Sequence, residues 1–206
     1  MEYNGFKILN GTKKILISAP HAVDQTRENK IKFAEPETAI FAKKLNELGY
    51  PAIIKTENVN DDANWDLPHP YKQELLNFCR ANNIEFVLDL HQLSDKREMD
   101  FCLGTGNEQN RNLMQHTIIA DLVKQCATEN GFDMQINNPF AASSERTISG
   151  FCQKNNIPSM QLEINSKLVS AYCNGKRFDD VFEFIKKICK IVEKTLTKSE
   201  IPQNNL

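Results

Sequence analysis

The chain has 206 residues, 40% hydrophobic and 25% charged, with a formal net charge of −2. That length suits one packed core, and the composition is that of a soluble globular protein rather than a disordered or fibrous one. No run of Lys and Arg interleaved with aromatics supplies the electrostatic footprint of a nucleic-acid binder, and no stretch approaches the roughly 20 apolar residues that span a bilayer. The start, MEYNGFKILN, lacks the charged-then-apolar pattern of a signal peptide. A cytoplasmic protein with neither nucleic acid nor membrane as partner is expected.

Short apolar runs recur along the chain at Ile15-Leu16-Ile17, Ala52-Ile53-Ile54, Phe86-Val87-Leu88, Asp100-Phe101-Cys102-Leu103 and Met160-Gln161-Leu162-Glu163-Ile164. Their near-continuous apolarity predicts strands buried on both faces. Between them lie helical spacings: Phe41, Leu45 and Leu48, then Ile118, Ile119, Leu122, Val123 and Cys126. The alternation predicts a single α/β domain with a mainly parallel mixed sheet flanked by helices. The last helix carries Val181, Ile185, Ile188, Val192 and Leu196 on one stripe, with Asp179, Glu183, Lys187 and Lys190 facing water. Residues 1–197 are therefore expected to form the domain, and residues 198–206 a frayed tail without periodicity. Two polar segments, residues 58–71 with two prolines and residues 137–149, must run over the surface, and loops of that length are often functional.

Six cysteines, at positions 79, 102, 126, 152, 173 and 189, are widely spaced and form no C-x-x-C. They read as buried free thiols in a reducing compartment, and none has the basic or helix-start setting of a nucleophile.

The candidate chemistry sits at the ends of predicted elements. The first of the apolar strands runs into Pro20-His21, at the carboxyl end where ligand sites of open α/β sheets collect. In Asp89-Leu90-His91 the two-residue period puts Asp89 and His91 on one face, which fits a carboxylate steadying a metal-bound imidazole or a purely structural pair. Glu35 precedes Pro36 and so reads as a helix N-cap whose acid could serve a metal or only the helix dipole, with Glu37 competing. Glu163 lies in an apolar strand, where an ionised carboxylate needs a nearby cation, either a metal or a Lys or Arg. His69, in the LPHPY turn, reads as exposed, and His116, on a helix, as remote from the site.

With these residues in place, the sequence resembles the N-formylglutamate amidohydrolase family, of the zinc carboxypeptidase and aspartoacylase-like hydrolases. The likeness covers roughly residues 14–175 and rests on Pro20-His21, Glu35-Pro36-Glu37-Thr38, Asp89-Leu90-His91 and Gln161-Leu162-Glu163-Ile164-Asn165. The family often has a glycine soon after the first histidine, where this chain has Ala22-Val23-Asp24. The resemblance implies a carboxypeptidase-like (phosphorylase/hydrolase-like) α/β fold. It further implies one divalent metal, zinc, held by His21, Glu35 and His91, and Glu163 as the catalytic carboxylate.

The reaction so implied is hydrolysis of an amide in a small N-acyl amino acid or peptide, by metal-activated water with Glu163 as general base. Such a substrate carries a carboxylate that a guanidinium recognises. Arg146, in the polar stretch before the Glu163 strand, is the first candidate, with a catalytic-site role; Arg27 and Arg97 follow as substrate-binding candidates. The rival reading is a non-catalytic metal- or small-ligand-binding α/β protein. A phosphate binder is disfavoured, because Gly104-Thr105-Gly106 lacks the third glycine of a dinucleotide loop.

Overall fold

A computed structural model describes residues 1–106, 113–171 and 177–199; Cys173 and tail residues 200–206 lie outside the described residues. The strands are β1 (Glu2–Tyr3), β2 (Phe6–Leu9), β3 (Ile15–Ala19), β4 (Gln25–Arg27), β5 (Lys30–Lys32), β6 (Ala52–Lys55), β7 (Phe86–Leu93), β8 (Phe101–Gly104), β9 (Met134–Ile136) and β10 (Ser159–Asn165). The helices are α1 (Pro36–Glu47), α2 (Pro70–Ala81), α3 (Leu113–Glu129), α4 (Ile148–Lys154), α5 (Ser166–Val169) and α6 (Phe178–Ser199).

Eight strands form one sheet in the order β1-β2-β6-β3-β7-β10-β8-β9. The four central strands, β6, β3, β7 and β10, are mutually parallel, while β2 and β8 join them antiparallel. Strands β4 and β5 make a separate antiparallel hairpin. From β3 the chain passes through α1 to β6 on one side, then returns through α2 to β7 on the other. The ends of β3 and β7 thus flank a topological switch point, where open α/β sheets leave a crevice.

One face of the sheet packs α1, α3 and α6 through Ile17, Leu88, Leu90, Leu162 and Ile164 against Phe41, Val123 and Ile185. The other packs α2 and α4 through Leu16 and Val87 against Tyr71, Leu75 and Cys152. Strand alternation explains how an apolar run carries a polar site: Asp89, His91, Gln161 and Glu163 leave the first face to Leu88, Leu90, Leu162 and Ile164.

The predicted strand at Asp100–Leu103 is present as β8, and its antiparallel pairing with β10 makes the sheet mixed, as expected. Other expectations need correction. Leu48 is the C-cap of α1 and is 47% exposed, and Ile118 and Leu122 on α3 face outward while Ile119 and Val123 are buried. Helix α2 begins at Pro70, inside the segment read as loop, because His69 serves as N-cap and accepts from Tyr71 N–H. Helix α6 runs to Ser199, two residues into the expected tail.

Candidate metal centre and its cavity

Strand register brings the site together. Glu163 on β10 lies beside His91 on β7, and Gln161 beside Asp89, two residues further from the strand ends on the same face. His21 follows β3 directly, and its carbonyl accepts from the backbone N–H of Glu35 at 2.8 Å, fastening the start of α1 to the strand end. Glu35 is the N-cap of α1, yet its side chain makes no capping bond. Its Oε1 lies 3.1 Å from His21 Nδ1 and its Oε2 lies 3.2 Å from His91 Nδ1 and accepts from Gln92 N–H at 3.0 Å. Glu37 accepts from Gln92 Nε2 instead, at 3.1 Å. The group of possible ligands is therefore His21, Glu35 and His91, with ligand atoms all within 4.8 Å of one another.

The two imidazoles sit edge to face, with Nδ1 atoms 3.2 Å apart. Each Nε2 faces an aspartate: His21 to Asp62 Oδ1 at 3.0 Å, His91 to Asp89 Oδ2 at 3.0 Å. A carboxylate at Nε2 places the proton of a neutral ring there, so that both Nδ1 lone pairs point at one spot beside a carboxylate. Two unprotonated Nδ1 atoms that close repel unless a cation, a proton or a metal ion, lies between them beside Glu35. Two ligands about 2.1 Å from one tetrahedral zinc are roughly 3.4 Å apart, and this donor set fits such an ion.

Electrostatics agree with a site built for positive charge. Burial alone would depress both imidazoles, but Glu35 with Asp62 raises His21, and Asp89 with Glu35 raises His91 well above the usual value. Burial would raise Glu35, yet His21 and His91 bring it down to about 2. Glu163 differs: burial pushes it up to about 7, and the opposing pull of His91 does not cancel this. No lysine or arginine pairs with Glu163 among the described residues; its Oε1 accepts from Gln161 Nε2 at 2.7 Å.

A cavity of about 480 Å³ opens over these residues. One wall is the β4–β5 hairpin, whose register puts Gln25, Arg27, Lys30 and Lys32 on one face. Arg27 lines the cavity, donates from Nε to Asp62 Oδ2 at 2.8 Å, and lies 4.7 Å from the Trp65 ring. Arg146 lies 4.9 Å from the same ring and donates to the Trp65 carbonyl at 3.2 Å, and Arg97 lies 5.8 Å from the Phe140 ring. Neither Arg146 nor Arg97 lines the cavity. A second wall is the 139–147 loop, seated against Gly104, where an added Cβ would come within 2.7 Å of the Phe140 carbonyl, and against Gly150, where a Cβ would collide with the Ser144 carbonyl.

Sequence reasoning did not find Asp62, which is fully buried although it sits in a polar loop. The adjacent pair Asp61-Asp62 was the available signal, since each acid turns inward: Asp61 to Lys55 at 2.6 Å and His69 at 2.7 Å, Asp62 to His21 and Arg27. His69, expected to be exposed, is buried for this reason. His116 is buried on α3 against Phe86, outside the site. The described cysteines are free, and burial pushes their thiols up, Cys79 and Cys189 to about 12, which suits inert core residues. Among the described residues no helix is long and apolar enough to cross a membrane.

No family model matches the sequence, and no curated protein does. Solved structures do match. N-formylglutamate amidohydrolase from Ralstonia eutropha aligns over 95% of this chain and 100% of its own, with a TM-score of 0.68 at 14% identity. A gene product of Agrobacterium tumefaciens aligns over 95% and 96%, with a TM-score of 0.64 at 12% identity. A bacteriophage poly-gamma-glutamate hydrolase aligns over 89% and 86%, with a TM-score of 0.56 at 16% identity. The chain therefore shares the α/β fold of the N-formylglutamate amidohydrolase structure.

Proposed function

We propose that this chain is a zinc-dependent amidohydrolase, cleaving an amide bond in a small N-acyl amino acid or peptide that bears a carboxylate. The observation that carries the reading is the pair of buried Nδ1 atoms 3.2 Å apart, both against Glu35, with each ring backed by its own aspartate. The shared fold with amide hydrolases supports it.

His21, Glu35 and His91 would hold the ion, which would supply Lewis acidity toward the scissile carbonyl and acidify water at the site. Asp62 and Asp89 keep each ring in the tautomer that presents Nδ1. Glu163 is the general base: Gln161 Nε2 occupies its Oε1, leaving Oε2 to take a proton from the attacking water and pass it to the leaving nitrogen. Arg27, rather than Arg146 or Arg97, is assigned to the substrate carboxylate, because it alone of the three lines the cavity. Arg146 instead braces Trp65.

Elemental analysis of the purified protein tests the metal, and release of free amine from a panel of N-acyl amino acids and short peptides tests the reaction. The expected result is near-stoichiometric zinc and turnover that Glu163→Gln abolishes while zinc is retained. Bound zinc with no amine released from any member of the panel would favour the non-catalytic reading.

A further inference from the structure

Asp62 is common to both halves of the site. Its buried carboxylate faces His21 Nε2 and accepts Asn64 N–H on Oδ1, at 3.0 and 2.9 Å, and accepts Arg27 Nε–H on Oδ2 at 2.8 Å. A carboxylate offers about four acceptor positions, so three fixed partners leave it no freedom to turn toward one without loosening another. Arg27 uses only Nε in this arrangement; its Nη groups make no hydrogen bond among the described residues, and the side chain is 26% exposed at the cavity. Asp89 serves His91 differently: Oδ2 faces the ring, and among the described residues Oδ1 has no hydrogen-bond partner and no arginine pairs with the carboxylate.

We infer that Asp62 is a positioning residue that transmits occupancy of Arg27 by a substrate carboxylate to His21, so that an anion in the cavity is registered at one imidazole and not at the other. The inference rests on the metal-site reading above. An anion pairing with the Arg27 Nη groups draws the guanidinium charge toward itself and away from Asp62. The carboxylate then becomes the stronger acceptor for His21 Nε2–H, which makes Nδ1 the better electron donor. Linkage makes the effect reciprocal: a cation at His21 Nδ1 renders Nε2–H more acidic, tightens its bond to Asp62, and favours the anion on Arg27. His91 shares neither half of this path.

The test uses the full zinc-loaded chain with glutarate as the anion, followed by NMR of ¹⁵N-histidine. The His21 Nε2–H resonance is expected to move on titration while that of His91 moves far less, and Arg27→Met is expected to abolish the difference. Equal movement of both rings, or a His21 response that survives Arg27→Met, overturns the coupling. A second measurement is zinc affinity by chelator competition. Glutarate is expected to tighten zinc by about 5-fold or more in the unaltered chain and in Asp89→Asn, and not in Arg27→Met. Asp62→Asn is expected to weaken zinc about 10- to 100-fold and to lose the glutarate effect. Should Asp62→Asn fail to fold, the Arg27 and Asp89 variants still decide the matter. Zinc uptake with no response to glutarate refutes the coupling alone; a chain that takes up no zinc refutes the metal-site reading as well.

Discussion

Replacing Glu163 with glutamine should stabilise the metal-free protein, and should do so more as pH rises. Glu163 is buried and its carboxyl titrates at about 7 in the fold, against an ordinary value of 4.5. Below 4.5 the carboxyl is protonated in folded and unfolded chains alike and contributes its full share. Between 4.5 and about 7 the unfolded chain sheds the proton and the folded one keeps it, so stability falls as pH rises through this window and levels off above it. The gap corresponds to about 3 kcal/mol, of which about 2–3 kcal/mol should be lost between roughly pH 5 and pH 8. The amide introduced by Glu163→Gln does not ionise and can still accept from Gln161 Nε2, so the difference reports this carboxyl together with its interaction with His91, His21 and Glu35. Urea unfolding of chelator-treated wild type and Glu163→Gln at several pH values measures it. Parallel stability curves would show that the carboxylate is not held away from its charge, and the argument for a poised base would fail. Adding zinc should narrow the difference, because a cation nearby favours the ionised carboxylate.

Other outcomes follow from the same geometry. His21→Ala and His91→Ala should each lose bound zinc in elemental analysis, since either change removes one of three ligands. Arg27→Met should raise KM for a carboxylate-bearing substrate about 10- to 100-fold in steady-state kinetics, the worth of one lost charged hydrogen bond. Tyr71→Phe should cost about 1–3 kcal/mol in urea unfolding, because the Tyr71 hydroxyl accepts from Ala19 N–H and donates to the Ile53 carbonyl in the buried core. Gly150→Ala should cost about 1–3 kcal/mol or displace the 139–147 loop, visible as reduced stability and altered KM, since its methyl would collide with the Ser144 carbonyl.

Much of the central sheet was legible because β3, β7 and β10 are apolar enough to announce themselves, and the candidate residues stand where those runs stop. The spacing of Asp89 and His91 already placed them on one face, and Pro36 already marked Glu35 as a helix start. What stayed hidden depends on contacts far apart in sequence. The Asp61-Asp62 pair does not say by itself where each acid turns, since the partner of Asp62 is His21 on another segment, and His69 is drawn inward by Asp61, which is itself paired with Lys55. Which strands of the mixed sheet run antiparallel, β2 and β8, is not legible for a similar reason: direction is set by connections across the sheet, whereas periodicity reports only which residues face the core. The sequence ranks Arg146 ahead of Arg27 and Arg97, and proximity to a candidate ligand along the chain says little about which arginine lines the cavity, as Arg27 does.

The walls of the cavity and its floor come from different kinds of backbone. His91 and Glu163 are anchored in adjoining central strands, whereas Phe140, Ser144 and Trp65 belong to connecting segments. Chemistry and taste are therefore separable inheritances in this architecture. Grafting a different connecting segment between β9 and α4 would reshape one wall of the cavity while the candidate ligands His21, Glu35 and His91, placed by the strand ends and by the start of α1, keep their positions.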